Sequence, residues 1–384
     1  MCAVLIAAAF LLIYFLFPFA PHPTRPDSLA AMKKVSEAEM IIREKYLEGV
    51  DGTEQTDAML RGLVEGLGDT YASYYTKEEY EEIKKERAGV MEGIGVRIAT
   101  DLENGELIVV AVVEGSPAEE AGVLEKDRIL SVNGQDMTGK TGSDAADLIQ
   151  MAEGTITLQV LREGEEEPVE LTMEKGPIVT TSVSTALLDG NIGYMQISTF
   201  NGVTAEQFEE NYARLREEGM EALIIDLRNN LGGLVSSCCD TASQILPEGP
   251  IVYEQDRTGK EKHRDSDGKS PIDIPLVLLV NGYTASASEI FTGAVRDYGL
   301  ATIVGEQTYG KGVEQNSFLL SDGSAMKLTT TVYYTPDHED INGVGITPDE
   351  IVELTAEDEE DTQLLRALEI LGAEPGERTE DDGE

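Results

Sequence analysis

Cysteine, histidine and cationic residues are all scarce in this chain, and each scarcity removes a class of function. The three cysteines are Cys2, Cys238 and Cys239. Three cannot build a disulfide framework or a cysteine-based zinc site. Cys238 and Cys239 are adjacent, so a bridge between them would be strained. They read as two small apolar residues on a buried segment. The three histidines are His22, His263 and His338, and no HExxH pair occurs, which excludes a zinc peptidase of that kind. No motif calls for a metal or another cofactor. Lysine and arginine number 29 against 73 aspartates and glutamates, a formal charge of −44. That argues against nucleic acid as a partner, because phosphates need clusters of lysine and arginine. It also argues against electrostatic docking on anionic lipid.

What is present suffices for several cores. Hydrophobic residues make up 41% of 384, with 14 tyrosines and 8 phenylalanines. At roughly 150 residues per domain, two or three domains are expected. Residues 1–20 carry no charge. At about 1.5 Å rise per residue such a helix matches a hydrocarbon core of about 30 Å. The cationic start and small-residue cleavage site of a signal peptide are missing. An uncleaved transmembrane anchor is therefore expected, with the remainder outside the cytoplasm.

The rest of the chain divides by pattern. Residues 21–88 open with a proline-rich linker and continue as helices. Met32, Val35, Ala38, Met40 and Ile41 recur roughly on one face, and Thr76-Lys77-Glu78-Glu79 reads as a capping box. Residues 89–176 read as a small mixed β domain with two helices, one of them Ser116 to Gly122 with serine as cap and Pro117 at the first position. Residues 177–356 alternate strands and helices. Ala222 to Leu227, Leu276 to Val280 and Ala301 to Val304 are continuous apolar runs, as in buried parallel strands. Residues 357–384 read as a charged helix running into an acidic tail.

Several local patterns could carry chemistry. Gly93-Ile94-Gly95-Val96 is a glycine-rich turn before a strand, able to aim backbone N–H groups at a peptide carboxylate, though an ordinary tight turn also explains it. Gly305-x-x-x-x-Gly310-Lys311-Gly312 misses the P-loop pattern because Gly312 replaces the hydroxyl residue and a strand follows, so nucleotide binding is rejected. Ser286-Ala287-Ser288-Glu289 opens a helix directly after a buried strand. A capping box explains it, yet a serine there is also placed for attack, next to helix N–H groups that could stabilise an oxyanion. Such a serine needs a base. His263 and His338 both sit in charged stretches that read as loops. A lysine can serve if burial lowers its pKa enough to leave it neutral, and Lys311, flanked by glycines, is the candidate.

Gly93 to Val96, the Ser116–Gly122 helix and Asp127 to Gly134, in that order, resemble a PDZ domain. The resemblance implies a groove between the strand after Gly95 and a helix around Ala145 to Met151, taking an extended C-terminal peptide. Over nearly the whole chain after residue 28, co-ordered blocks resemble the carboxyl-terminal processing (tail-specific) protease family. They are Gly66 to Tyr71, Asp226 to Leu234, Ser286 to Glu289, Gly305 to Gln315 and Asn342 to Asp349. The resemblance implies an α/β multi-domain protein whose α/β protease core is related to the crotonase-like/ClpP sandwich. It also implies a serine endopeptidase acting on protein substrates with apolar C-terminal tails, and makes a homodimer plausible. Position by position it implies Ser286 as nucleophile, Lys311 as general base and Gln315 as the residue orienting it. Ser288 competes with Ser286. The amides of Gly232 and Ala287 correspond to the oxyanion hole. The rival expectation is an inactive, peptide-binding scaffold, against which the intact Ser286, Lys311 and Gln315 set speaks.

Overall fold

The computed structural model describes residues 27–49, 51–101, 105–113, 115–162, 164–165, 167–355, 358 and 360–373. The expected membrane anchor, residues 1–20, lies outside them. Among the described residues no helix is long and apolar enough to cross a membrane. The chain forms two compact units, residues 1–66 and 67–384.

The first unit carries helices Asp27–Lys45 and Gly52–Glu65. The second helix starts where Asp51 accepts from the Thr53 N–H at 2.7 Å, an aspartate cap satisfying a donor that a helix start leaves orphaned. The apolar stripe read from the sequence on the first helix, Met32, Val35, Met40 and Ile41, is exposed.

The second unit holds the remaining elements. One six-stranded sheet runs in the order Val183–Leu188, Ile192–Ile197, Ala222–Asp226, Leu276–Val280, Thr302–Gly305, Glu350–Ile351. Its first pair is antiparallel and every later pair is parallel. The three apolar runs are its central strands, shifted by one residue at some ends. Their continuity follows from burial on both faces. With side chains alternating along a strand, Leu223, Ile225, Leu276 and Leu278 face one core. Ile224, Val277 and Leu279 face another. Each such side chain contributes about 1.5–3 kcal/mol when fully buried.

The first core is a helical layer between two sheets. It takes Phe208 and Leu215 from helix Thr204–Glu217, Cys238 and Cys239 from helix Val235–Ala242, and Ile290 and Phe291 from helix Ala287–Asp297. The two cysteines are free and buried, as their composition implied. Burial pushes both thiols up, that of Cys239 to about 12. Ile251, Val252 and Tyr333 close the layer from a second sheet of five strands, Ser73–Tyr75, Val313–Leu319, Ala325–Tyr334, Gly249–Asp256 and Glu261–Ser266.

Three expectations are corrected. The segment 21–88 is not wholly helical: Ser73–Tyr75 pairs antiparallel with Ala325–Lys327, an edge too short to show as a pattern. His263 is not in a loop but on strand Glu261–Ser266, hairpinned to Gly249–Asp256, where charge alternation masked the strand. The charged helix expected from residue 357 is present, but it is docked on the sheet rather than part of a free tail. Helix Thr362–Ile370 buries Ala367 against Ile224, Val277 and Leu279, with Leu364 and Leu368 beside it. Its apolar face covers what would otherwise be bare sheet.

The small β domain hangs on a two-stranded stem. Val90–Gly93 pairs with Gly176–Val179, from Val90 opposite Val179 to Gly93 opposite Gly176. Its sheet starts at an edge strand, Val96–Thr100, and runs through Leu107–Val112, Arg128–Val132, Thr155–Leu161 and Val169–Glu174. Helix Gly142–Met151 lies beside the edge strand, with the Gly142 N–H on Thr100 Oγ1 at 3.2 Å. The Ser116 cap is present: its hydroxyl accepts from Glu119 N–H at 3.3 Å.

Candidate active site

The carboxyl ends of the central strands deliver Ser286, Gly232 and Lys311 through three loops, following strands Leu276–Val280, Ala222–Asp226 and Thr302–Gly305. Ser286 has φ 58° and ψ −119°. That is the first central position of a type II′ turn, a place glycine dominates. The turn closes with the Ser288 N–H on the Ala285 carbonyl at 3.2 Å. A serine held there stores strain of order 1–3 kcal/mol, as at the sharp strand-to-helix turns that present nucleophiles.

Neighbouring bonds hold the turn. The Ala285 N–H donates to the Asn230 carbonyl at 3.0 Å. The Ser288 hydroxyl, wholly buried, donates to the same carbonyl at 3.0 Å. The Thr284 hydroxyl donates to the Leu227 carbonyl at 2.9 Å. Ser288 is thus committed to stitching two loops, whereas Ser286 is half-buried.

Glu289 is 0% exposed, and its carboxylate gathers four donors. Oε2 accepts from the Ser286 N–H at 2.9 Å and the Lys311 N–H at 2.8 Å. Oε1 accepts from the Thr308 hydroxyl at 2.6 Å and the Gly310 N–H at 2.7 Å. The capping-box reading found only the first of these. Close approach of loop 342–345 explains the glycines beside the lysine: a Cβ on Gly312 would stand 2.7 Å from the Asn342 backbone nitrogen.

Lys311 is half-buried, and its ammonium lies over the Tyr71 ring, 4.6 Å from the centroid. Burial lowers its pKa below the ordinary lysine range, and the charge of Lys327 adds to that. Glu289 and Asp69 oppose both. Desolvation therefore outweighs the local negative field, as a neutral base requires. Tyr333, 2% exposed, donates its hydroxyl to the Lys311 carbonyl and lies beside the Ser286 side chain.

The other candidates are placed as follows. Gln315 lies on strand Val313–Leu319, and its amide donates to Thr329 Oγ1 at 3.1 Å. Among the described residues no hydrogen bond joins Lys311 Nζ to Ser286 or to Gln315. Gly232 abuts the nucleophile, since a Cβ there would meet Ser286 Cβ and the Ala287 nitrogen, each at 2.9 Å. Its N–H donates to Asn230 Oδ1 at 2.9 Å. Ala287 is the first helical residue, whose N–H a helix leaves without an internal acceptor. His263 and His338 each pack against the Tyr253 ring, at 5.6 and 3.9 Å between centroids. Gly93 ends one strand of the stem, and Val96 begins the edge strand. The carbonyls of Ile94 and Gly95 accept from the Ala118 and Val113 N–H groups, each at 2.8 Å. Sequence reasoning missed Tyr71, Tyr333 and the full role of Glu289.

Comparison with known proteins shows the family. Residues 191–352 match the model of peptidase family S41, 108–162 that of a PDZ domain, and 21–79 that of the activating protease CtpB N-terminal domain. A carboxyl-terminal-processing protease of Synechocystis is 36% identical over 319 residues, 82% of this chain and 75% of that protein. The carboxy-terminal processing protease CtpA of Bacillus subtilis is 30% identical, over 84% of this chain and 69% of that protein. A putative S41 protease of Bacteroides fragilis, 17% identical, shares the fold with a TM-score of 0.53 over 87% of this chain and 96% of that one. The chain belongs to the carboxyl-terminal processing proteases, serine-type peptidases of family S41 that carry a PDZ domain.

Proposed function

We propose that the protein cleaves proteins recognised by their C-terminal tails, with Ser286 as nucleophile and Lys311 as general base. The observation that carries this reading is the lysine itself: half-buried, lowered in pKa by desolvation, and tied by its amide to the same Glu289 oxygen as the serine amide. Neutral Lys311 takes the Ser286 hydroxyl proton as Oγ bonds to the scissile carbonyl carbon. The tetrahedral oxyanion forms beside the Ala287 and Gly232 amides. The C–N bond then breaks, and Lys311 gives the proton to the leaving amine. Water, deprotonated by the same lysine, releases the acyl-enzyme.

Two adjustments accompany substrate. Lys311 Nζ leaves the Tyr71 ring for Ser286, and Asn230 Oδ1 yields the Gly232 N–H. Catalytic hydrogen bonds are often loose before substrate binds. Gln315, anchored on Thr329, orients the lysine in that state.

Residues 89–176 supply recognition. The Val96–Thr100 edge and helix Gly142–Met151 form the groove. An extended tail adds as a further strand, with its carboxylate at the Gly93 to Val96 turn. The core, residues 177–356, is completed by helix Thr362–Ile370. Incubation of Ser286→Ala and Lys311→Ala with a tailed protein tests the reading. Loss of cleavage in both, with an unchanged thermal transition, is expected; cleavage by either refutes the dyad.

A further inference from the structure

We propose that Glu289 and Tyr333 are positioning residues forming a buried bracket that sets the Ser286–Lys311 pair. This rests on the dyad reading and deepens it. The bracket has four points. Glu289 holds the N–H of Ser286 and the N–H of Lys311 on one oxygen, at 2.9 and 2.8 Å. Tyr333 holds the Lys311 carbonyl and reaches the Ser286 side chain. The lysine is thus fixed at both main-chain groups, and the serine at its amide, with the phenol beside its side chain.

A helix cap needs one acceptor for one donor, so capping does not account for Glu289. Its carboxylate is fully buried, and no lysine, arginine or histidine lies within salt-bridge distance among the described residues. A buried charge with no ion partner is costly unless its lone pairs are filled. Four donors fill it, all but one of them from the loop carrying Lys311. An ionised carboxylate accepts at both oxygens, whereas an amide would turn two hydrogens toward one pair of these donors. The charge is also unhelpful to the base, since it raises the Lys311 pKa against burial. The arrangement therefore favours geometry at some expense of base strength.

The hydroxyl of Tyr333 needs a similar explanation. Its ring is packed in the main core, where phenylalanine would fill the same space. A phenol has one hydrogen, and it goes to the Lys311 carbonyl. Its oxygen also lies beside the Ser286 side chain and limits the space open to the nucleophile's rotamers. Both residues lie far from Lys311 in sequence, 22 positions each way. Together they convert a helix start, a loop and a strand of the second sheet into one rigid frame.

The test is a set of four full-chain variants, Tyr333→Phe, Glu289→Gln, Ser286→Ala and Lys311→Ala. It reads kcat, KM, the pH dependence of Ser286 labelling by a fluorophosphonate, and the thermal transition. Tyr333→Phe is expected to lower kcat by about tenfold and Glu289→Gln by about a hundredfold, the scale of a misplaced reacting group, with KM within about twofold. In Glu289→Gln the rising limb of the labelling profile moves to lower pH while its plateau falls, because a negative charge beside Lys311 is gone. Lys327, Asp69 and Tyr71, the other groups facing the lysine, are unchanged. Wild-type kcat in folded Tyr333→Phe, or a loss confined to KM, overturns the bracket. If Glu289→Gln does not fold, Tyr333→Phe decides alone. Cleavage by Ser286→Ala or Lys311→Ala would instead remove the dyad. Inert dyad variants beside a fully active Tyr333→Phe leave the dyad standing and remove the bracket.

Discussion

The catalytic turn and the edge strand of the small β domain solve opposite problems. Around Ser286 nearly every backbone and side-chain donor is assigned: Ala285 and Ser288 to the Asn230 carbonyl, Thr284 to Leu227, and Ser286 and Lys311 to Glu289. The strand Val96–Thr100 is half-exposed and ends its sheet, so among the described residues one row of its backbone groups has no strand beside it. Chemistry requires a strained geometry held from many sides. Recognition of an extended tail requires an edge left unpaired. The same chain over-determines one region and leaves the other open.

The contrast can be broken at its strongest point first. Gly232→Ala places a methyl 2.7 Å from the Ala285 carbonyl oxygen and 2.9 Å from Ser286 Cβ, at a φ of +103°. A loss of kcat on the order of a hundredfold or more is expected, together with a lower thermal transition; wild-type turnover would show that the turn tolerates displacement. On the open side, excising residues 94–175 at the stem should bring kcat/KM for tailed and untailed versions of one substrate within about twofold of each other, from an advantage of about tenfold, or ~1.4 kcal/mol, in the intact chain. A preserved preference would place recognition outside the groove.

Finer changes sharpen the electrostatic half of the comparison. Lys327 lowers the Lys311 pKa. Lys327→Gln removes that charge, so the Lys311 pKa rises and less of the lysine is neutral at a given pH. The rising limb of the kcat/KM profile should move to higher pH, with a severalfold loss near neutrality that closes at alkaline pH. An unmoved limb would mean the two lysines do not interact. The smallest effect is expected at Glu314, whose pKa is raised by burial and by Glu254. Oε2 of Glu314 is buried without a hydrogen-bond partner. A carboxylate whose pKa is raised in the folded state costs stability as pH climbs from its unfolded pKa through its folded one, and none below both. Glu314→Gln should raise Tm by on the order of 1–2 °C at pH 7 and change it little below pH 4.

Legibility followed the range of the interactions. The Thr76 and Ser116 caps are set by neighbours a few residues away, and they could be read directly, as could the apolar runs. Contacts spanning tens of residues could not. Glu289 showed as the cap of its own helix, while three of its donors lie 19 to 22 residues on. Tyr333 sits on a different sheet from the strand that delivers the serine. Helix Thr362–Ile370 could be read as a charged helix but not as a docked one, because its cover, the second face of the parallel sheet, comes from strands some 60 to 170 residues earlier. The Gly232 amide looked like a free oxyanion donor, and its bond to Asn230 depends on a side-chain rotamer no pattern encodes.

The central claim is that Lys311 is neutral enough to act as base. Titration of the 15N-labelled Lys311 side chain by NMR in the Ser286→Ala protein tests it most directly. An ammonium that titrates clearly below the ordinary lysine value of about 10.4, and moves upward in Lys327→Gln, is the expected result. A lysine that titrates at or above that value in both proteins would contradict the Ser286–Lys311 mechanism.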